Sequence, residues 1–152
     1  MIAAAGLLLA CRIATSAPPL KPGITWRLDG AFYDEFNASA LDGFKWDIGY
    51  RNWSGRDPGI FDPANVSVND GHLRLDVKLP PSGSLPQGKT YTTASVNTMG
   101  GDPGSLQRDF LYGYVEIRAQ GMAASTTSAF WLHKNTPDYW TEIDVMELVP
   151  AS

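Results

Sequence analysis

A chain of 152 residues has room for one domain. Its 12 Lys+Arg against 16 Asp+Glu give a formal net charge of −4, which leaves no basic footprint for a nucleic-acid partner. Aromatic residues make up 11% of the chain with Trp 5, Gly 15 and Pro 11, and no long window carries helical periodicity, so the expected class is all-β.

The chain opens on a short apolar run, Ile2 to Ala10. Nine apolar residues are too few to span a bilayer, but they suit the core of a secretory signal, although no Lys or Arg precedes them. Leu8-Leu9-Ala10-Cys11 also resembles a bacterial lipoprotein signal, in which Cys11 would carry the lipid. Residues 1–23 are therefore read as an export segment with a Pro-rich linker, and residues 24–152 as the folded part. Cys11 is the only cysteine, so a domain beginning after it has no disulfide. Asn37-Ala38-Ser39, Asn52-Trp53-Ser54 and Asn65-Val66-Ser67 fit the glycosylation sequon, which matters only in a eukaryotic secretory pathway.

From Trp26 to Ile48 aromatics alternate with turn residues, including Asp29-Gly30 and Asp42-Gly43, as short strands at a sandwich edge do. Val66 to Val68 and Leu73 to Val77 flank Asn69-Asp70-Gly71, a hairpin turn signal. Pro80 to Lys89 and Gly100 to Gly104 read as loops around a β-rich stretch, Tyr91 to Asn97. In Gly113 to Gln120, Val115, Ile117 and Ala119 alternate with polar neighbours, which predicts a half-buried strand. Ser128 to His133 places Phe130 and Leu132 on one face and Trp131 and His133 on the other. Short strands with these turns predict an antiparallel sandwich of the jelly-roll kind.

Trp140-Thr141-Glu142-Ile143-Asp144-Val145-Met146-Glu147-Leu148 carries the chemistry. Thr141, Ile143 and Val145 favour a strand, on which Trp140, Glu142 and Asp144 share one face. Strict alternation would turn Glu147 away, whereas a β-bulge near Val145-Met146 absorbs one residue and returns it to the face of Glu142. Three acids in one row suit a cleft, because unpaired buried charge is costly. A retaining glycosidase needs two carboxyl groups ~5–5.5 Å apart, one nucleophile and one proton donor that later acts as base. Asp144 between them can share a proton or hydrogen bond with the nucleophile. The ordinary alternative is a strand with solvated acids. A divalent-metal site is another, although no histidine or further acidic cluster lies nearby in sequence.

Glu142-Ile143-Asp144-Val145-Met146-Glu147 resembles the bulged signature of family 16 glycoside hydrolases, and the resemblance covers nearly everything after Thr25. Asp34-Glu35-Phe36-Asn37 with Lys45-Trp46 resembles the family's N-terminal strand pair. Tyr112 to Arg118 resembles its central strand, and Ser128 to Leu132 the strand before the catalytic one. Asn52-Trp53-Ser54-Gly55-Arg56 followed by Phe61 to Val66 is closer to agarases and porphyranases than to laminarinases. By that similarity Glu142 is the nucleophile, Glu147 the general acid/base and Asp144 their helper. Trp53, Arg56, Trp131, His133 and Trp140 are substrate-binding candidates, His133 towards a sugar hydroxyl or sulfate. Core positions for the three Trp and an ordinary satisfied histidine are the bland alternatives.

The resemblance implies a retaining endo-β-glycosidase acting on agar or porphyran, with a β-1,3-glucanase or a non-catalytic polysaccharide-binding jelly roll as rivals. No catalytic cofactor or metal ligand is implied, although many relatives carry a structural calcium. The expected protein is an extracellular monomer, at a membrane only if lipidated at Cys11. The chain stops five residues after Glu147, where the family continues with further strands, so it is read as the N-terminal part of the catalytic domain, inactive alone.

Overall fold

The computed structural model describes residues 17–98, 111–123 and 125–149. The proposed export run with Cys11 and the expected loop Gly100 to Gly104 lie outside these residues. Contacts divide the chain into two units, Lys21–Tyr112 and Gly113–Ser152 with Met1–Leu20. The described residues are all-β. Their strands form four two-stranded pairs, and the one further element is a 3-10 turn at Pro63–Asn65.

In the Lys21–Tyr112 unit the strands are β1 (Asp47–Ile48), β2 (Gly59–Phe61), β3 (Val66–Asn69), β4 (His72–Leu75), β5 (Tyr91–Thr93) and β6 (Val96–Asn97). The β3–β4 hairpin forms where its turn residues require it. Asp70 and Gly71 take φ 51 and 70, the two successive positive values of a turn whose twist matches the flanking strands. Val66 then pairs with Leu75 and Val68 with Leu73.

Two expectations need correction here. The strand pair expected from Asp34 to Asn37 with Lys45-Trp46 is a side-chain clasp instead. The Asp34 carboxylate accepts from the Phe36 N–H at 2.8 Å and from the Trp46 indole N–H at 3.0 Å. Phe36 at φ 53 breaks the extended run that pairing would need. The second correction concerns direction, because β2 and β5 pair in parallel, Gly59 with Tyr91 through Phe61 with Thr93. The antiparallel pattern expected throughout holds for the other three pairs.

The most buried side chains of this unit are polar, Asn65 at 1% exposure and Thr92 at 5%. The Asn65 amide donates to Thr92 Oγ1 at 2.9 Å and to the Thr93 carbonyl at 3.3 Å. Main-chain bonds reinforce the join, Asp62 N to Thr93 O at 2.9 Å and Asp76 N to Asn65 O at 2.9 Å. Asn65 is therefore a peg between the 3-10 turn and β5, and its sequon cannot accept a glycan in the folded chain.

The second unit is dominated by one hairpin, β7 (Ser128–Asn135) with β8 (Trp140–Leu148). The strand expected over Gly113 to Gln120 has no ladder partner among the described residues, and Ile117 is 42% exposed. Alternation supplies a face for burial but not the neighbour that must cover it. No apolar side chain is buried among the described residues.

Candidate active site

The register of β7 against β8 decides where the three acids point. Asn135 pairs with Trp140, His133 with Glu142 and Trp131 with Asp144. The ladder then shifts between Phe130 and Trp131, so that Phe130 meets Met146 and Ala129 meets Glu147. Val145 is the residue without a partner, the extra residue of a bulge. Directly paired residues share a face, and alternation on β7 puts Ala129, Trp131, His133 and Asn135 together. Trp140, Glu142, Asp144 and Glu147 therefore line that same face. All four are exposed.

The row has a defined span. Between the partners of Glu142 and Glu147 lie four steps of β7, ~13 Å at ~3.3 Å per residue. Two glutamate side chains leaning towards each other over Asp144 can close most of that distance. The opposite face holds Phe130, Leu132, Ile143, Met146 and Leu148, so the bulge also keeps the apolar residues in phase on the far side of the acids.

Aromatic rings extend the acid face. Trp131 and His133 lie 5.3 Å apart between ring centroids with planes 59° apart, and His133 and Trp140 lie 6.1 Å apart at 61°. The sequence spacing placed Trp131 and His133 on one face of their strand and Trp140 with Glu142 and Asp144 on a face of another; only the register joins the two faces and brings both indoles to the His133 ring. Asn135, opposite Trp140, was missed altogether, since nothing in its own neighbourhood marks it.

The other two candidates belong to the Lys21–Tyr112 unit. Trp53 is 43% exposed and packs edge-on against Tyr50 at 5.9 Å and Phe61 at 5.2 Å. Arg56 is exposed, while its carbonyl accepts from the Gly59 N–H at 2.8 Å. Gly59 was also missed. A Cβ there would stand 2.7 Å from Tyr91 Cε2 and 3.1 Å from the Arg56 carbonyl oxygen, so only glycine lets β2 approach β5. Its signal in the sequence is the Asp57-Pro58-Gly59 run, which can be read as a turn but not as a close approach.

His133 supplies the histidine that the local sequence around the acids lacks. Even so, no group of three His, Cys, Asp or Glu among the described residues could hold a metal ion.

The family model for the β-porphyranase A–D domain of glycoside hydrolase family 16 matches residues 26–152. β-Porphyranase B of Zobellia galactanivorans is 32% identical over 156 residues, covering 94% of this chain and 51% of that protein. β-Agarase A of the same organism is 30% identical over 139 residues, covering 85% and 23%. Among solved structures, the crystal structure of a β-porphyranase from the human gut bacterium Bacteroides plebeius matches with a TM-score of 0.70 and 26% identity, over 87% of this chain and 48% of that one. That neighbour is a jelly-roll β-sandwich, the fold class of this chain. The chain spans about half the length of these two β-porphyranases, 51% and 48%.

Proposed function

Because the chain belongs to glycoside hydrolase family 16, we propose that the complete enzyme is a retaining endo-hydrolase of a β-linked marine galactan, porphyran before agarose. The observation that carries this reading is the bulge at Val145, which phases Glu142, Asp144 and Glu147 onto one face.

In this mechanism the Glu142 carboxylate attacks the anomeric carbon while Glu147 gives its proton to the departing glycosidic oxygen. The C–O bond of the polysaccharide breaks as the Glu142 ester forms. Water then attacks the same carbon, Glu147 takes its proton, and the Glu142 carboxylate leaves, so the product keeps the β configuration. Asp144 stands between the two and steadies the nucleophile by hydrogen bonding. Trp131 and Trp140 bind sugar on the acid face, held in place by His133, and Trp53 and Arg56 are the sugar-binding residues of the Lys21–Tyr112 unit. Residues 1–23 direct export, and labelling with radioactive palmitate, lost in Cys11→Ser, would distinguish a lipid anchor from free secretion.

The test is release of reducing sugar by the full-length natural protein from porphyran, agarose and laminarin. Porphyran should be cut fastest and laminarin hardly at all. Hydrolysis of laminarin alone would favour the glucanase reading, and binding without hydrolysis of any of the three would favour a lectin-like jelly roll.

A further inference from the structure

The acid face gives His133 an unusual place. It lies directly across from Glu142, and its ring touches two indoles by two different routes. Trp131 is two residues back on the same strand, hence on the same face. Trp140 is the diagonal neighbour on β8, a separation that aromatic side chains bridge. Both contacts are inclined, tilted at 59° with Trp131 and edge-on at 61° with Trp140. An inclined contact of this kind fixes orientation as well as distance. His133 and Trp131 are half-buried, whereas Trp140 is 61% exposed, an indole offered to solvent on the face of the acids. The apolar C–H face of a pyranose is a natural partner for such a surface.

We propose that His133 is a positioning residue: wedged between Trp131 and Trp140, its ring holds the two indoles as neighbouring stacking surfaces for sugar beside Glu142. The Trp140 backbone stands two strand residues from Glu142, ~7 Å, so the surface begins next to the bond to be cut. The ligand is a neutral pyranose unit of the galactan chain, recognised by its C–H face. This inference rests on the glycosidase reading of the acid face.

The experiment measures KM and kcat separately in the full-length natural enzyme on a soluble galactan oligosaccharide. His133→Ala should raise KM about tenfold and lower kcat much less, as expected when its two inclined aromatic contacts are lost. His133→Phe, which keeps a ring edge between the indoles, should recover most of that loss, and His133→Gln should not. Adding Trp140→Ala to His133→Ala should change KM little further, because the wedge and the indole act as one unit. Equal losses in the Phe and Gln variants, concentrated in kcat, would overturn the proposal in favour of a polar contact from the imidazole. Additive KM effects in the double variant would overturn it as well. Should His133→Ala fail to unfold cooperatively, the Phe and Gln variants carry the comparison. Glu142→Gln separates the two layers. If that variant hydrolyses normally, the glycosidase reading fails; if it is inactive while His133→Ala and His133→Gln leave KM unmoved, only the positioning role fails.

Discussion

Between Lys21 and Tyr112 the strands are two to four residues long and the closest packing is polar, whereas β7 and β8 run for 8 and 9 residues without one buried side chain. The first region holds its chain by individual contacts: the Asn65 peg, the Asp34 clasp on Trp46, and Lys89 bonded to Asp57 and to the Gly59 carbonyl. The hairpin holds its shape by ladder regularity and one bulge. Chemistry that needs several side chains on one face is better served by the second design. A strand repeats its facing every two residues, so a single register sets the direction of the eight side chains on the acid face at once. The difference also locates fragility. A polar peg fails with one residue, while a ladder fails only when its phase is changed.

The largest effect expected concerns the uncovered hairpin. Ile143 is 59% exposed, Leu148 49% and Val145 44%, although all three are apolar strand residues. Each buried aliphatic side chain contributes about 1.5–3 kcal/mol, against a native margin of only about 5–15 kcal/mol. Residues 24–152 expressed alone should show no cooperative thermal transition and no hydrolysis. A sharp transition together with cleavage of any β-glycan would mean that the hairpin holds its own apolar cover and the two regions differ less in stability.

Next come the acids, in the full-length enzyme. Glu142→Gly should abolish hydrolysis yet still transfer sugar from an α-glycosyl fluoride, which stands in for the covalent intermediate. Glu147→Ala should lose about 10²–10⁴-fold and recover partly with azide on a substrate with a good leaving group. Exchange of the two rescues would reverse the roles assigned to them.

The phase of the ladder can be tested by deletion. Removing Val145 takes out only the unpaired residue, and regular alternation still brings Glu147 to the face of Glu142. Removing Ile143 turns Glu142 and Trp140 away from Asp144 and Glu147. The Val145 deletion should therefore keep measurable activity, and the Ile143 deletion should behave like loss of the nucleophile. If both are equally dead, position along β8 matters more than facing.

These deletions also show why the hairpin was legible in the sequence. Alternation fixed the facing of β7, and acids at odd and even spacings on β8 required a bulge, so the row could be drawn before any partner was known. The β3–β4 hairpin was legible for a related reason, because Asp70-Gly71 suits positive φ at both positions. Gly113 to Gln120 shows the limit of that reasoning, since an alternating pattern names a face and not what pairs with it. The parallel join of β2 to β5 depends on a partner about thirty residues away, beyond the reach of any local pattern. Asn65 reads locally as a sequon, and only Thr92 and Thr93, brought from β5, turn it into a buried peg.

The smallest effect is on that peg. Asn65→Ala takes the buried amide donor from the Thr92 hydroxyl, while the Thr93 carbonyl keeps the Asp62 N–H, and should cost about 1–3 kcal/mol, seen as a lower thermal midpoint of the full-length protein. Substrate specificity should stay the same. An unchanged midpoint would show that the main-chain bonds around Asn65 hold the region without it.

The central claim is that the bulge-phased row of Glu142, Asp144 and Glu147 works by double displacement. Proton NMR of the first product released by the full-length enzyme from a galactan substrate tests it most directly, before the anomers equilibrate in water. The account predicts the β-anomer as the initial signal, with the α-anomer growing in later. An initial α-anomer would mean a single inverting step, and the roles given to Glu142 and Glu147 would be wrong.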